Sequence, residues 1–174
     1  MSVLPAAERN PFEAQDPDRA DIWTMLVQRD IDAFVAADWD AVKNDFVVDG
    51  FFGVDGGKKP NPDTWSMRFP GIGEYRDEWL RQAKEFRNTE FAEDPRAAIF
   101  RATRLEEIEI SGDRAIAHKK FDGSIRKADG TLDRLLWQTL YFCKKTDAGW
   151  KITSFCGYLP NPLGGGTHGD GQTE

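Results

Sequence analysis

The sequence predicts one α+β domain in which helices cover one face of an antiparallel sheet. Its 174 residues are 40% hydrophobic, enough for one sizeable core. Between residues 98 and 160, four runs rich in β-branched and aromatic residues are joined by short turns containing Gly and Asp. Before them, residues 21–37 and 74–88 show the apolar spacing of amphipathic helices. Helices followed by consecutive hairpins are typical of the α+β class.

The charge and the cysteines limit the classes of partner. A net charge of −7 disfavours nucleic acid and anionic membrane surfaces, since both attract clusters of Lys and Arg. No apolar run reaches the ~20 residues of a membrane span, and residues 1–12 do not resemble a signal peptide. Cys143 and Cys156 fall out of disulfide register on one hairpin, so both are predicted to be free thiols. We therefore expect a cytoplasmic protein.

The composition divides the chain into three parts. Residues 1–19 are rich in Pro, Ala, Asp and Glu without periodicity, and they predict an extended arm. Residues 20–160 form the predicted domain. Residues 161–174 are mostly Gly, Thr, Asp and Gln, a composition that cannot bury enough surface to order itself, so they predict a disordered tail.

The first predicted helix, residues 21–37 with Asp21 as N-cap, carries an acid on its apolar side. Asp30 falls in the middle of an apolar arc of about 140°. A carboxylate there is costly unless it is paired, hydrogen-bonded, protonated or facing a water-containing cavity. Asp30 is thus either a general acid/base in a cavity or a structural carboxylate paired with an arginine such as Arg104 or Arg29. The arc consists of Ile22, Trp23, Leu26, Val27, Ala33, Phe34 and Ala37.

The middle of the chain predicts a short helix at residues 41–45, a strand at 46–52 and a long loop at 53–73. That loop contains five glycines and three prolines together with Trp65 and Phe69. Large apolar side chains in a long loop need a dry place. We therefore expect a lid that covers a cavity mouth with one of these two rings.

The strand at residues 137–143 is apolar or aromatic almost throughout. A strand with one solvated face would alternate, so this strand is predicted to be central and covered on both faces. Helices would cover the inner face. A second copy of the chain would cover the outer face in a homodimer.

Several side chains are candidates for a ligand site. Tyr141 shares a strand face with Trp137 and Thr139, where it is either a pocket donor or a core tyrosine. His118 is either a catalyst or a structural or interface residue. Clusters at metal spacing and phosphate-binding loops are missing from the sequence, so no metal or cofactor is expected. Further residues suited to a pocket wall are Trp23, Phe34, Trp65, Tyr75 and Trp79.

Three segments carry a resemblance to a known family. They are RDIDAFVAADWDAV at 29–42, YRDEWL at 75–80 and GWKITSF at 149–155. The chain resembles the SnoaL-like branch of the nuclear transport factor two-like superfamily, which includes polyketide cyclases and, more distantly, steroid isomerases. The resemblance implies a cone-shaped, cystatin-like fold, with a curved antiparallel sheet wrapped around N-terminal helices and enclosing a pocket. It also implies a homodimer through the outer sheet face.

The catalytic positions of a steroid isomerase are not matched in residue type. Where such an isomerase has a tyrosine on the first helix, this chain has Asp30. The carboxylate base after the first strand falls near Val54 and Asp55, and the acidic partner on the penultimate strand falls on Tyr141. Steroid isomerase activity is therefore not expected, although a carboxylate and a phenol can still face one cavity.

Two functions from different classes fit these residues. The first is a lyase, isomerase or cyclase that acts on an apolar, carbonyl-containing metabolite, with Asp30 as acid/base and Tyr141 as donor. The alternative is a non-catalytic protein that binds a hydrophobic small molecule. A lone acid in an apolar pocket serves both, so the sequence leaves both open.

Overall fold

The computed structural model describes residues 4–12 and 15–160, which form helices and a six-stranded curved sheet. The N-terminal helix has three consecutive parts: α1 (Pro17–Trp23), a π-helical segment (Thr24–Arg29) and α2 (Asp30–Ala36). Two further helices are α3 (Ile72–Arg87) and α4 (Pro95–Ala102). The strands are β1 (Phe52–Asp55), β2 (Ser66–Phe69), β3 (Thr103–Ser111), β4 (Arg114–Arg126), β5 (Leu132–Thr146) and β6 (Gly149–Leu159).

The sheet has the strand order β2-β1-β6-β5-β4-β3. The predicted meander forms β3 to β6, and β5 is an interior strand. One pairing differs from the predicted antiparallel sheet, because β1 runs parallel to β6 with Phe52 opposite Ser154. The sheet is therefore mixed, with an antiparallel hairpin, β1–β2, at one edge.

The first strand lies later than the predicted residues 46–52. Phe46 forms only an isolated bridge with Ile152, and the chain then turns at Gly50, which has a φ of 77°. A positive φ interrupts an extended strand, and glycine adopts it without a steric cost. The rings of Phe46 and Phe51 pack edge to face in the core, with centroids 5.6 Å apart, instead of extending the strand.

The N-terminal helix begins earlier than predicted. Asp16, not Asp21, is the N-cap, and its side chain accepts a hydrogen bond from the backbone N–H of Arg19. Pro17 suits the first helical position because its fixed φ is already helical. The apolar arc of this helix is turned to the core, where Ile22, Leu26 and Ala33 are buried. Residues 98–102, predicted to start the sheet, belong to α4 instead.

The predicted lid at residues 53–73 contains an edge hairpin of the sheet, and neither Trp65 nor Phe69 lines a cavity as predicted. Phe69 is buried, with its ring centroid 5.3 Å from that of Tyr75 and 5.8 Å from that of Phe155. The indole N–H of Trp65 donates to the carbonyl of Lys59. Of the large apolar side chains in this segment, Phe69 is thus buried in the core, whereas Met67 is exposed.

The two ends of the chain are described only in part. In the predicted arm, residues 4–12 contact the domain, with Glu8 paired to Arg96 of α4 at 2.9 Å. The predicted tail, residues 161–174, lies outside the described residues. Cys143 and Cys156 are both free thiols. Within the described part of the chain, none of the helices has the length and apolarity needed to cross a membrane.

Candidate functional site

A cavity of about 390 Å³ lies between the inner face of the sheet and the helices α2 and α3. Strand alternation positions its sheet side, because Lys119 and Phe121 on β4 and every second residue of β5 face inward. Helix α2 contributes Asp30 and Phe34. The lining also includes Ile31, Lys58, Tyr75, Trp79, Gln82, Glu85, Phe86, Thr89, Ile99, Lys127, Asp133, Arg134, Leu135, Trp137, Thr139, Tyr141, Phe155 and Tyr158.

The most polar part of the lining is an ion pair between Asp30 and Lys119. Lys119 is fully buried, and its Nζ lies 2.9 Å from Asp30 Oδ2. The same ammonium donates to the carbonyl oxygen of Leu26 at 2.5 Å and lies 5.0 Å from the ring centroid of Phe121. A buried ammonium needs such acceptors because burial removes its hydration. The sequence-based alternative that an arginine pairs with Asp30 is not realised, and Arg29 binds Asp45 instead.

The π-helical segment explains why the Leu26 carbonyl is available to Lys119. In a regular α-helix this carbonyl would accept a hydrogen bond from the backbone N–H of Asp30. Here the Asp30 N–H donates to Val27 instead. The irregular turn before Asp30 thus presents both the Leu26 carbonyl and the Asp30 carboxylate to Lys119. Such π-segments occur frequently at functional sites.

Three phenols also line the cavity. The chain contains three tyrosines, and all three, Tyr75, Tyr141 and Tyr158, line the cavity. The Tyr158 hydroxyl donates to Gln82 at 3.1 Å. Within residues 4–12 and 15–160, no hydrogen-bond partner is found for the hydroxyls of Tyr75 and Tyr141. Two half-buried phenols are therefore free to bind a ligand.

Burial keeps these phenols protonated. Desolvation raises the pKa of Tyr75 and of Tyr141 well above 10, and the negative charge of Asp30 adds to the effect on both. Burial also raises the pKa of Tyr158 to about 12. At neutral pH all three are hydrogen-bond donors rather than phenolates. Tyr75, Tyr141 and Asp30 also share a second space of about 10 Å³, close to the room that one water needs.

Seven of the residues predicted from the sequence line this cavity. They are Asp30, Phe34, Tyr75, Trp79, Trp137, Thr139 and Tyr141.

Three other predicted site residues lie elsewhere. Trp23 is buried in the core, and Trp65 lies in the edge hairpin. His118 points to the opposite face of β4, where its Nε2 lies 2.5 Å from Gln138 Oε1. Since the Gln138 amide nitrogen donates to the carbonyl of Pro160, its oxygen is the acceptor and His118 Nε2 the donor. His118 is thus an outer-face residue.

The sequence reasoning missed Lys119. The signal was present, because His118 alternates with Ile116 and Lys120 on one face of β4. Lys119 must then share the inner face with Ala117 and Phe121. A lysine between two apolar inward residues predicts a buried cation that needs an anion, and Asp30 was the carboxylate in need of a partner.

The described part of the lining does not gather side chains into a metal site. In the described ranges, 4–12 and 15–160, no three His, Cys, Asp or Glu side chains are grouped closely enough to hold a metal ion. Its inner part offers instead the carboxylate of Asp30, the buried ammonium of Lys119 and three neutral phenols against aromatic walls.

Comparison with solved structures identifies the fold. A protein of the NTF2-like family from Streptomyces avermitilis, provisionally named a dehydratase, matches with a TM-score of 0.55 and 15% identity over 84% of this chain and 97% of that chain. An NTF2-like protein with a cystatin-like fold from Novosphingobium aromaticivorans matches with a TM-score of 0.51 and 15% identity over 84% of each chain. The chain has the NTF2-like fold. A nuclear transport factor 2-like superfamily protein from Salmonella enterica also matches, with a TM-score of 0.51 and 16% identity over 81% of this chain and 90% of that chain.

The NTF2-like fold confirms the predicted α+β, cystatin-like class. No family model and no curated protein matches the sequence. At 15–16% identity the structural matches establish the fold alone. Function has to be argued from the cavity.

Proposed function

We propose that the cavity binds an apolar, carbonyl-containing metabolite and catalyses a proton transfer next to its carbonyl, as an isomerase, cyclase or lyase would. The observation that supports this is that one carboxylate, Asp30, and two unpartnered neutral phenols, Tyr75 and Tyr141, line the same cavity. Proton abstraction from a carbon next to a carbonyl needs a base and donors to the oxygen that becomes negative.

In this proposal each polar group has one role. Asp30 takes the proton through the carboxylate oxygen that Lys119 leaves available. Tyr141 and Tyr75 donate hydrogen bonds to the enolate oxygen, and their raised pKa values keep them protonated for this role. Lys119 is a positioning residue that fixes the carboxylate through Oδ2. The aromatic walls exclude water, which strengthens each of these interactions.

The alternative is a non-catalytic protein that binds a hydrophobic small molecule. It is favoured by the ion pair itself, because Lys119 gives Asp30 a structural role that requires no reaction. In that case the phenols would orient the ligand, and the carboxylate would serve only to balance the buried ammonium.

A hydrogen-exchange experiment separates the two functions. A planar ketone such as 2-acetylnaphthalene is incubated with the protein in deuterium oxide, and deuterium incorporation next to the carbonyl is followed by NMR. Catalysis predicts exchange above background that falls by about 10²- to 10⁴-fold in Asp30→Asn, the usual contribution of a general base. Tyr141→Phe should lose about tenfold or more, because a donor to the enolate is removed.

The matched control is Asp32→Asn on the same helix. Asp32 pairs with Arg96 at 2.7 Å and is not part of the cavity lining, so exchange should be unchanged. Binding of the ketone without exchange above background would establish the binding protein and exclude the catalytic role of Asp30 for such substrates.

We also propose that the outer face of the sheet forms a homodimer interface. Ile116 on β4 pairs in register with Phe142 on β5, and they are 43% and 38% exposed. Phe52 on β1 is 42% exposed and neighbours Ser154 on the same sheet. Exposed apolar side chains on adjacent strands of one face favour a covered surface, and a two-fold symmetric contact places the same patch on both partners.

A further inference from the structure

The wall of the cavity formed by β4, β5 and β6 is a row of aromatic rings. The rings of Phe121 and Trp137 have centroids 4.6 Å apart and are inclined by 31°. Those of Trp137 and Tyr158 are 5.8 Å apart and inclined by 33°. The three rings are in contact with one another and all three line the cavity, so they form one continuous aromatic wall. Such a wall favours a flat, unsaturated ligand, because stacking adds to the burial of apolar area.

Cations lie over two of the rings in this row. Lys119 lies over Phe121 and is neutralised by Asp30. Lys58 lies over Trp137, with its Nζ 4.8 Å from the ring centroid. Unlike Lys119, Lys58 has no carboxylate partner within the described residues, so its charge is available to a ligand.

The backbone holds Lys58 in this position. Its φ is 58°, a left-handed conformation that residues other than glycine adopt rarely. Its N–H donates to the carbonyl of Tyr158 at 2.6 Å, which ties the β1–β2 connection to the end of β6. Strained residues other than glycine are common at ligand-binding and active sites. Lys58 is such a residue, and its side chain lines the cavity.

The charges around Lys58 leave it available to an anion. We call the charged, solvent-reaching part of the lining the cavity mouth; it comprises Lys58, Glu85, Lys127, Asp133 and Arg134. Glu85 is already paired with Arg81 at 2.9 Å, so the count of available charges at the mouth does not include it. Lys127 has no ion-pair partner in the described ranges either. Two lysines, Lys58 and Lys127, thus stand against the single carboxylate of Asp133 at the mouth of a protein whose net charge is −7.

We propose that the ligand of this cavity carries a carboxylate or similar oxyanion, which Lys58 binds at the mouth, on a flat body that lies along Trp137 and Phe121. This proposal rests on the proposed function and specifies its substrate class: a planar carbonyl compound with an anionic group at the end remote from Asp30. The anion gains a charge-assisted hydrogen bond from Lys58, while Tyr75 and Tyr141 still donate hydrogen bonds to the carbonyl oxygen.

A pair of probes that differ only in charge tests the proposal. Naphthalene-2-carboxylate and its methyl ester share one flat body, and isothermal titration calorimetry gives the affinity of the wild-type protein for each. We expect the carboxylate to bind about two- to fivefold more tightly, the range for an ion pair near the surface, and to lose this advantage at high salt. In Lys58→Gln the preference should vanish while the affinity for the ester stays unchanged, which also shows that the variant is folded.

The matched control is Lys59→Gln, which makes the same change of charge one residue away. Lys59 is exposed and is not part of the cavity lining, so the preference for the carboxylate should persist. Equal or tighter binding of the ester by the wild type would overturn the anionic substrate class while leaving the proposed proton transfer intact. A preference that survives in Lys58→Gln would overturn the role of Lys58. Failure of both probes to bind would overturn the flat-ligand proposal, and the ketone exchange experiment would then still decide the proposed function.

Discussion

The ammonium of Lys119 on β4 is fully buried 2.9 Å from Asp30 on the N-terminal helix, whose carboxylate side chain remains 31% exposed. Asp30→Asn would leave that cation without its counter-charge. Breaking such a pair from one side is strongly destabilising, and the partial exposure of Asp30 reduces the effect. We expect a loss of about 1–3 kcal/mol in the free energy of unfolding, measured by urea denaturation near neutral pH.

A double-mutant cycle distinguishes the charge from the side-chain volume. Lys119→Met keeps a long side chain and removes the ammonium. The double variant Asp30→Asn/Lys119→Met therefore no longer buries a lone cation. It should be more stable than the sum of the two single losses predicts. If Asp30→Asn alone proved as stable as the wild type, the ion pair would contribute nothing to stability.

The pKa values of the tyrosines predict an unusual alkaline titration, because all three line the cavity and share raised values. The neutral phenols are favoured in the folded state. Their contribution to stability is therefore complete below the unfolded value of about 10 and is lost as the pH rises towards and above 12. Tyrosinate absorbance of the folded protein should not show the ordinary transition near pH 10.

The denatured protein supplies the reference for this titration. In concentrated guanidinium chloride all three tyrosines should ionise near their ordinary pKa of about 10. Circular dichroism recorded in parallel should show that ionisation of the native protein coincides with unfolding. A native transition near pH 10 with intact secondary structure would mean that the phenols are open to bulk water.

Glu78 on α3 predicts part of the acid sensitivity. Hydrogen bonds from Arg81 and Gln82 and the charge of Arg68 lower the pKa of Glu78 from 4.5 to about 2. The folded state thus favours the ionised form. The stabilisation is complete above pH 4.5 and is lost as the pH falls through about 2. Glu78→Gln should cost about 1 kcal/mol near neutral pH and nothing near pH 2, measured as free energies of unfolding across this range.

Glu85→Gln is the matched comparison for Glu78, because Glu85 pairs with the same Arg81 but its side chain is 72% exposed. An exposed pair of this kind contributes little, so this variant should lose less than Glu78→Gln at neutral pH. Equal losses in both variants would show that burial of Glu78 makes no difference.

The outer sheet face predicts the mass of the protein in solution. Light scattering at micromolar concentration should give about twice the chain mass of 19.7 kDa. Phe142→Lys should shift the protein to the monomer, because it places a charge in the centre of the exposed apolar patch. Val48→Lys, at an exposed position outside the sheet, should leave the dimer intact. A monomeric wild type would contradict the interface.

The part of the fold that the sequence predicts is the part set by local patterns. Gly112, Gly130 and Gly149 all have positive φ values, as the predicted turns require, and they place β3 to β6 close to the predicted runs. The position of β1 cannot be predicted from local sequence patterns. Phe46 and Phe51 have the residue types of a strand, yet their rings are held in the core by contacts with Tyr75 and Phe155 from distant parts of the chain.

In the candidate site, too, the sequence predicts the residues that follow from local patterns and misses those that depend on tertiary contacts. A helical wheel finds Asp30 because one helix contains the whole signal, and alternation finds Tyr141, Thr139 and Trp137 because one strand contains it. The wheel assumes a uniform turn, so it cannot find the π-helical segment that exposes the Leu26 carbonyl. The partner of Asp30 comes from β4, and a pairing between residues 89 positions apart depends on the tertiary fold.

The parallel pairing of β1 with β6 has a consequence for how the molecule folds. Phe52 and Ser154 are neighbours in the sheet although about 100 residues separate them along the chain, and such distant contacts slow folding. The hairpins β3–β4 and β4–β5 join strands that are consecutive along the chain, so they can form first. Until β6 inserts between β1 and β5, the ring of Phe155 cannot reach those of Phe51, Phe69 and Tyr75. On a ribosome this aromatic cluster therefore stays incomplete until the strand at 149–159 has been synthesised, and its apolar rings remain exposed to aggregation until then.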